Sequence, residues 1–194
     1  MTTSAEPELA PPGAGLPTFE LIVARILFGL RRRRGNRDSF TARFQSERET
    51  IGALLRGLDP EAGGRRVLIQ RPRGLEDSSR FWSVWMTLDH LRIIHGAIGG
   101  VIDAITHGRV PPGKASTAAV KPGAAVDAGI VASYEASCDA LLATAAAAPD
   151  LKTKERYAHP WFGPLDAAGW YGLAGGHLGI HRVQIERIIR GLAG

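Results

Sequence analysis

The stretch from Asp166 to Leu192 spaces its apolar residues three and four positions apart and, in the middle of that pattern, sets His177 and His181. On an α-helix, residues four apart differ by about 40° around the axis, with Cβ atoms about 5–6 Å apart, so the two imidazoles project together. Gln184 returns to nearly the same direction. Three polar groups therefore interrupt a face otherwise built from Trp170, Leu173, Ala174, Ile185 and Ile188. A polar group in an apolar stripe is costly unless satisfied. The partner is either a hydrogen bond in the core or a metal ion, and spacing alone leaves both open. Position 178 is Leu, where the metalloprotease His-Glu-x-x-His signature carries its general base, so peptide hydrolysis by that route lacks its base.

Catalytic zinc-type sites commonly use three protein ligands and leave one position for water or substrate. Four further histidines are available, His90, His95, His107 and His159. From Phe81 to His107 the apolar residues Met86, Ile93, Ile94, Ala97 and Val101 fall within about 40–60° of His90 on a helical wheel. His90 is thus the candidate third ligand. His95 shares a side with Arg92, and His107 sits at the helix end beside Gly108; both read as solvated. His159 precedes Pro160, which biases it to extended backbone. From there it can cap the site, line it, or act as a fourth ligand.

The rest of the pattern reads as one all-α domain over residues 17–194, a four-helix bundle behind a disordered Pro/Ala/Gly-rich tail at residues 1–16. An extra N-terminal helical segment carries Phe19, Leu21, Ile22, Val23, Ile26, Leu27 and Leu30. It contains Arg25 and ends at Arg31, too short for the roughly 20 apolar residues of a bilayer span. After Gly35-Asn36 a second amphipathic stretch runs from Asp38 to Leu58, with Asp38 and Ser39 as candidate caps. A short extended piece fits Val67–Ile69, and Ser79 can open the His90 helix. Pro and Gly between 108 and 123 mark an irregular connection. The third bundle helix is expected over Ala124–Ala148, and the last runs from an Asp166 N-cap to Leu192. Within the last helix Gly172, Gly175, Gly176 and Gly179 form a bare stripe roughly opposite the histidines, which predicts close approach of another helix from this chain or a second subunit.

Leu88-Asp89-His90-Leu91 and His177-x-x-x-His181-Arg182-x-Gln184 together resemble the DinB-like (DinB/YfiT-like) superfamily of helical-bundle metalloenzymes. The segment His159-Pro160-Trp161-Phe162-Gly163-Pro164-Leu165, followed by Trp170, is similar to one branch of that group. The likeness covers residues 38–192 in order and spacing, and is most specific in the C-terminal segment. It implies a bundle that is often dimeric, with His90, His177 and His181 holding a divalent metal such as zinc, nickel, iron or manganese. It also implies thiol-dependent transferase or isomerase chemistry, with a small-molecule thiol as partner, in some members. Gly175 and Gly176 depart from the bulkier residues expected before the first ligand of the last helix.

Three neutral imidazoles leave a cation its full charge, so it can acidify a water or a thiol, and hydrolase and thiol-transfer chemistry are both available. Gln184 is placed to support a ligand histidine from behind. Trp161, Phe162 and Tyr157 either line a pocket mouth or cover the core. Cys138, the only cysteine, reads as a small buried residue. With no export signal, this cysteine usage points to the cytoplasm. The competing class is a non-catalytic bundle that binds anionic partners. Net charge is +5, and residues 31–37 hold five arginines. No aromatic platform or helix-turn-helix spacing accompanies them, so a solvated face or subunit contact is expected rather than specific nucleic-acid binding.

Overall fold

Residues 6–193 are described by the structure, a computed structural model. The first five residues of the expected tail and Gly194 lie outside them. Among the described residues six α-helices follow in order: α1 (Thr18–Arg34), α2 (Arg37–Leu55), the short α3 (Pro60–Gly64), α4 (Val84–Thr106), α5 (Ile130–Ala147) and α6 (Ala167–Leu192). The helical-bundle architecture is the one the periodicity predicts. α2, α4, α5 and α6 form the bundle, with α6 packed on α2 and α4, and α4 covered on another side by α5. Phe44, Ile51, Leu88, Leu91, Ile102, Leu178 and Ile185 fill its interior.

Gly35-Asn36 separates α1 from α2. Asn36 is the cap of α2, in place of the expected Asp38 or Ser39: its side chain accepts from the Ser39 N–H at 2.9 Å, while the Ser39 hydroxyl accepts from the Asn36 N–H. This reciprocal box satisfies two helix-end donors at once. α4 starts at Ser83, whose Oγ accepts from Met86 N–H at 3.1 Å. Ser79, the expected cap, instead closes a 3₁₀ turn, because β2 (Phe81–Trp82) intervenes and pairs antiparallel with β1 (Val67–Leu68). α5 begins at Ile130, later than the expected Ala124, after a turn in which Asp127 Oδ1 accepts from Gly129 N–H at 2.8 Å. A second hairpin pairs β3 (Tyr157–His159) with β4 (Gly163–Leu165), and Gly163 turns it at φ +70°. Strands this short leave no alternation to read.

Asp166 caps α6, accepting from Gly169 N–H at 2.8 Å, and also pairs with Arg32 of α1 at 2.8 Å. The glycine stripe of α6 faces α2 of the same chain. A Cβ on Gly172 would stand 3.0 Å from the Phe40 ring, and one on Gly175 would stand 3.3 Å from the Phe44 backbone nitrogen. Gly176 is different, with open space where its Cβ would be.

α1 lies against α6 and is held by polar contacts. Glu20 pairs with Arg71 at 2.5 Å, and Arg25 donates to the Trp161 carbonyl at 2.6 Å. Its opposite face leaves Phe19 79% and Ile26 57% exposed. Of the five clustered arginines, Arg32 is thus committed inward, as is Arg37, which donates to the Ala146 and Ala148 carbonyls. Residues 6–16 carry neither helix nor strand, and Ala10 N–H donates to Asp77 at 2.9 Å. Among the described residues no helix is long and apolar enough to cross a membrane.

Candidate metal centre

α4 contributes His90 and α6 contributes His177 and His181 to one point between the two helices. The Nε2 atoms of His90 and His177 are 3.3 Å apart, those of His181 and His177 3.2 Å, and all three lie within 4.8 Å of one another. His90 is 6% and His181 3% exposed, whereas His177 is half-buried at the wall of a cleft.

Two of the three rings have their proton position fixed from behind. The Val120 carbonyl can only accept, so His90 Nδ1–H donates to it at 2.6 Å, leaving the lone pair on Nε2. Gln184 donates its amide to the Ser79 carbonyl at 2.7 Å, which turns its oxygen to His181 Nδ1 at 2.6 Å and makes that nitrogen the donor. His181 Nε2 therefore also carries a lone pair. Both lone pairs converge on His177 Nε2, and one N–H there can satisfy only one of them. Tetrahedral coordination at zinc-type bond lengths separates ligand nitrogens by about 3.3–3.4 Å, so the observed spacing suits a shared cation. Oxygen acceptors behind two rings are the support that ligating histidines ordinarily have. His177 departs from this rule: its Nδ1 is buried without a partner among the described residues.

Burial holds all three imidazoles in the neutral, lone-pair form. It pushes His90 down to about 4 against the pull of the Val120 hydrogen bond. His177 and His181 are lowered well below the ordinary histidine value by burial, then by repulsion from neighbouring imidazoles.

The loop that carries Val120 is pinned on both sides. Buried Asp89 accepts from Gly123 N–H at 2.9 Å, and Lys121 Nζ reaches Glu76 at 2.9 Å. Trp82 covers the rings, parallel to His181 within 7° at 6.2 Å and 5.2 Å from His90. Neither Trp82 nor Val120 is found by reading the sequence. Trp82 belongs to a strand too short for periodicity, and a carbonyl acceptor has no side-chain signature.

His159 does not join the three. Its Nδ1 accepts from Trp161 N–H at 3.1 Å, and its ring packs against Phe162 at 5.0 Å and Trp170 at 5.3 Å. Burial lowers it to about 4. With Tyr157, Trp161 and Phe162 it lines the cleft that reaches the three histidines. His95 corrects the solvated reading. It is 1% exposed, its Nδ1 lies 3.0 Å from Ser137 Oγ, and it packs edge-on to Phe44 at 5.1 Å. Because α4 is a central helix, its second face is covered by α5 and a one-stripe wheel misplaces residues there. His107 stays exposed at the end of α4, 3.3 Å from Asp103. Cys138 is buried, as expected, and burial pushes its thiol up to about 12.

Fold and site together define a four-helix bundle with an added N-terminal helix and a three-histidine group that can hold a metal ion. Among solved structures the chain is similar to TT2238, a four-helix bundle protein, at a TM-score of 0.56 and 20% identity, over 78% of this chain and 98% of that one. That likeness speaks for the fold alone. No family model and no curated protein matches the sequence.

Proposed function

We propose that the protein is a DinB-like metalloenzyme in which His90, His177 and His181 bind one divalent cation, with zinc, nickel, iron and manganese as the candidates. The observation that carries this reading is the pair of fixed Nε2 lone pairs converging on His177 Nε2 at 3.2 and 3.3 Å. When bound, the cation supplies Lewis acidity to a water or a small-molecule thiol that reaches it.

The chain's own groups do the rest. Val120 and Gln184 hold two rings in the ligating tautomer, and Trp82 shields them from water. The cleft admits a small substrate past Tyr157, His159, Trp161 and Phe162. Thiol transfer or isomerisation is favoured over hydrolysis by the family resemblance, which also motivates a homodimer, while the cysteine usage motivates a place in the cytoplasm. The competing reading is a bundle whose histidine group serves structure only, with the remaining free arginines of α1 facing anionic partners.

Cobalt(II) substitution followed by absorption spectroscopy tests the proposal. Binding of one cobalt with a new charge-transfer band on adding a small thiol is the expected result. Cobalt bound with no spectral response to thiol contradicts the thiol arm, and no cobalt bound contradicts the metal centre itself.

A further inference from the structure

The cleft beside the three histidines has a volume of about 1270 Å³. This exceeds the several hundred Å³ typical of small-molecule pockets, so it has room for much more than a water or a short thiol. Val23, Leu27 and Phe28 of α1 form one wall, and Ile94, Val101 and Leu173 belong to the other side. α1, which precedes the four bundle helices, thus supplies an apolar wall to the cleft. It also gives the outward residues Val23 and Leu27 something to face other than bulk water.

Of the cations that line the same cleft, Arg31, Arg34, Arg43 and Arg73 make no ion pair among the described residues, and Arg43 is the half-buried one of the four. Arg31 of α1 and Arg43 of α2 both line it, and neither makes a side-chain ion pair or hydrogen bond among the described residues. Arg43 is half-buried, with its methylenes packed against Gly175. Its carboxylate neighbour Glu47, one turn on, is engaged by Arg182 at 2.7 Å. The other acids of the cleft are engaged as well, Glu20 by Arg71 and Glu76 by Lys121. Burial and then the nearby charge of Arg31 disfavour the charged form of Arg43, and the Glu47 carboxylate offsets them only in part. An anion between the two guanidinium groups removes that repulsion and engages donors that no side chain of the described residues occupies. Gly176, next to His177 on α6, also lines the cleft, and open space stands where its side chain would be.

We propose that the cleft binds an apolar organic acid, its carboxylate or sulfonate held by Arg31 and Arg43 and its apolar body lying along α1 towards the three imidazoles. The reading deepens the proposed function at the inner end of the cleft, but the anion contact itself requires no metal.

The test uses the full chain, zinc-loaded and chelator-treated, with decanoate and decan-1-ol competing against the fluorescent probe 8-anilino-1-naphthalenesulfonate. Decanoate is expected to displace the probe at least about tenfold more strongly than decanol, as a charge-assisted contact warrants. Arg43→Gln should remove most of that preference while leaving decanol unchanged. Gly176→Leu, built into open space, should weaken both ligands. Equal affinity of decanoate and decanol, or an undiminished preference in correctly folded Arg43→Gln, overturns the proposal. Decanoate preference in protein that binds no zinc supports the anion site and contradicts only the metal reading. Zinc binding with no decanoate preference contradicts only the anion site.

Discussion

Gln184 holds His181 by a 2.6 Å hydrogen bond between its side-chain oxygen and the ring Nδ1, and the same amide is anchored to the Ser79 carbonyl at 2.7 Å. The relay fixes which nitrogen of His181 faces the interior. Gln184→Leu keeps the volume but removes both bonds. Metal affinity should fall about 10–100-fold, the usual cost of losing such a support. The buried Ser79 carbonyl left without its donor should cost a further ~1–3 kcal/mol of stability. Zinc titration and urea unfolding of the variant measure the two effects separately.

His181→Ala and His95→Ala separate the candidate ligands from a buried histidine in the same core. Both rings are almost fully buried, but only His181 points at His177. His181→Ala should abolish stoichiometric metal binding. His95→Ala should retain one metal per chain and lose ~1–3 kcal/mol through its unsatisfied neighbours. Equal metal loss in both variants would contradict the assignment of faces on α4 and α6.

Metal-free protein should lose stability as pH falls below the ordinary histidine value of about 6.5. Burial lowers His90 and His159 to about 4 and His95 to about 3, and holds His177 and His181 well below the ordinary histidine value. Between those folded values and about 6.5 the unfolded chain binds more protons than the native one, so stability increases with pH across that window. It is fully present above about 6.5 and is lost progressively towards pH 4. Urea unfolding from pH 7.5 to 4.5 with chelator should show proton uptake by more than one group. A flat profile would mean these histidines are not buried neutral.

The approach of α6 to α2 makes opposite demands on adjacent glycines. Gly175→Val places branched carbon against the Phe44 backbone and Arg43, and should cost ~1–3 kcal/mol as overpacking. Gly176→Ala meets nothing and should stabilise the helix by up to ~1 kcal/mol. Thermal unfolding of the two variants compares them directly.

The sequence makes the long elements legible because α4 and α6 each present a sustained apolar stripe, and His90, His177 and His181 fall within those stripes. Convergence of the rings follows once the stripes face each other. His95 is misread because a helical wheel drawn for one core face cannot see that α5 covers a second. The loop carbonyl of Val120 and the cover from Trp82 depend on tertiary placement of irregular chain, where no periodicity exists to read. The glycine stripe signals close packing correctly, yet only the structure distinguishes the partner helix in the same chain from a second subunit.

Anomalous scattering from zinc-soaked crystals, recorded on both sides of the zinc absorption edge, tests the central claim most directly. One peak per chain is predicted, bounded by the Nε2 atoms of His90, His177 and His181 at about 2.0–2.1 Å. An absent peak, or one held by other residues while these three rings keep their positions, would contradict the account.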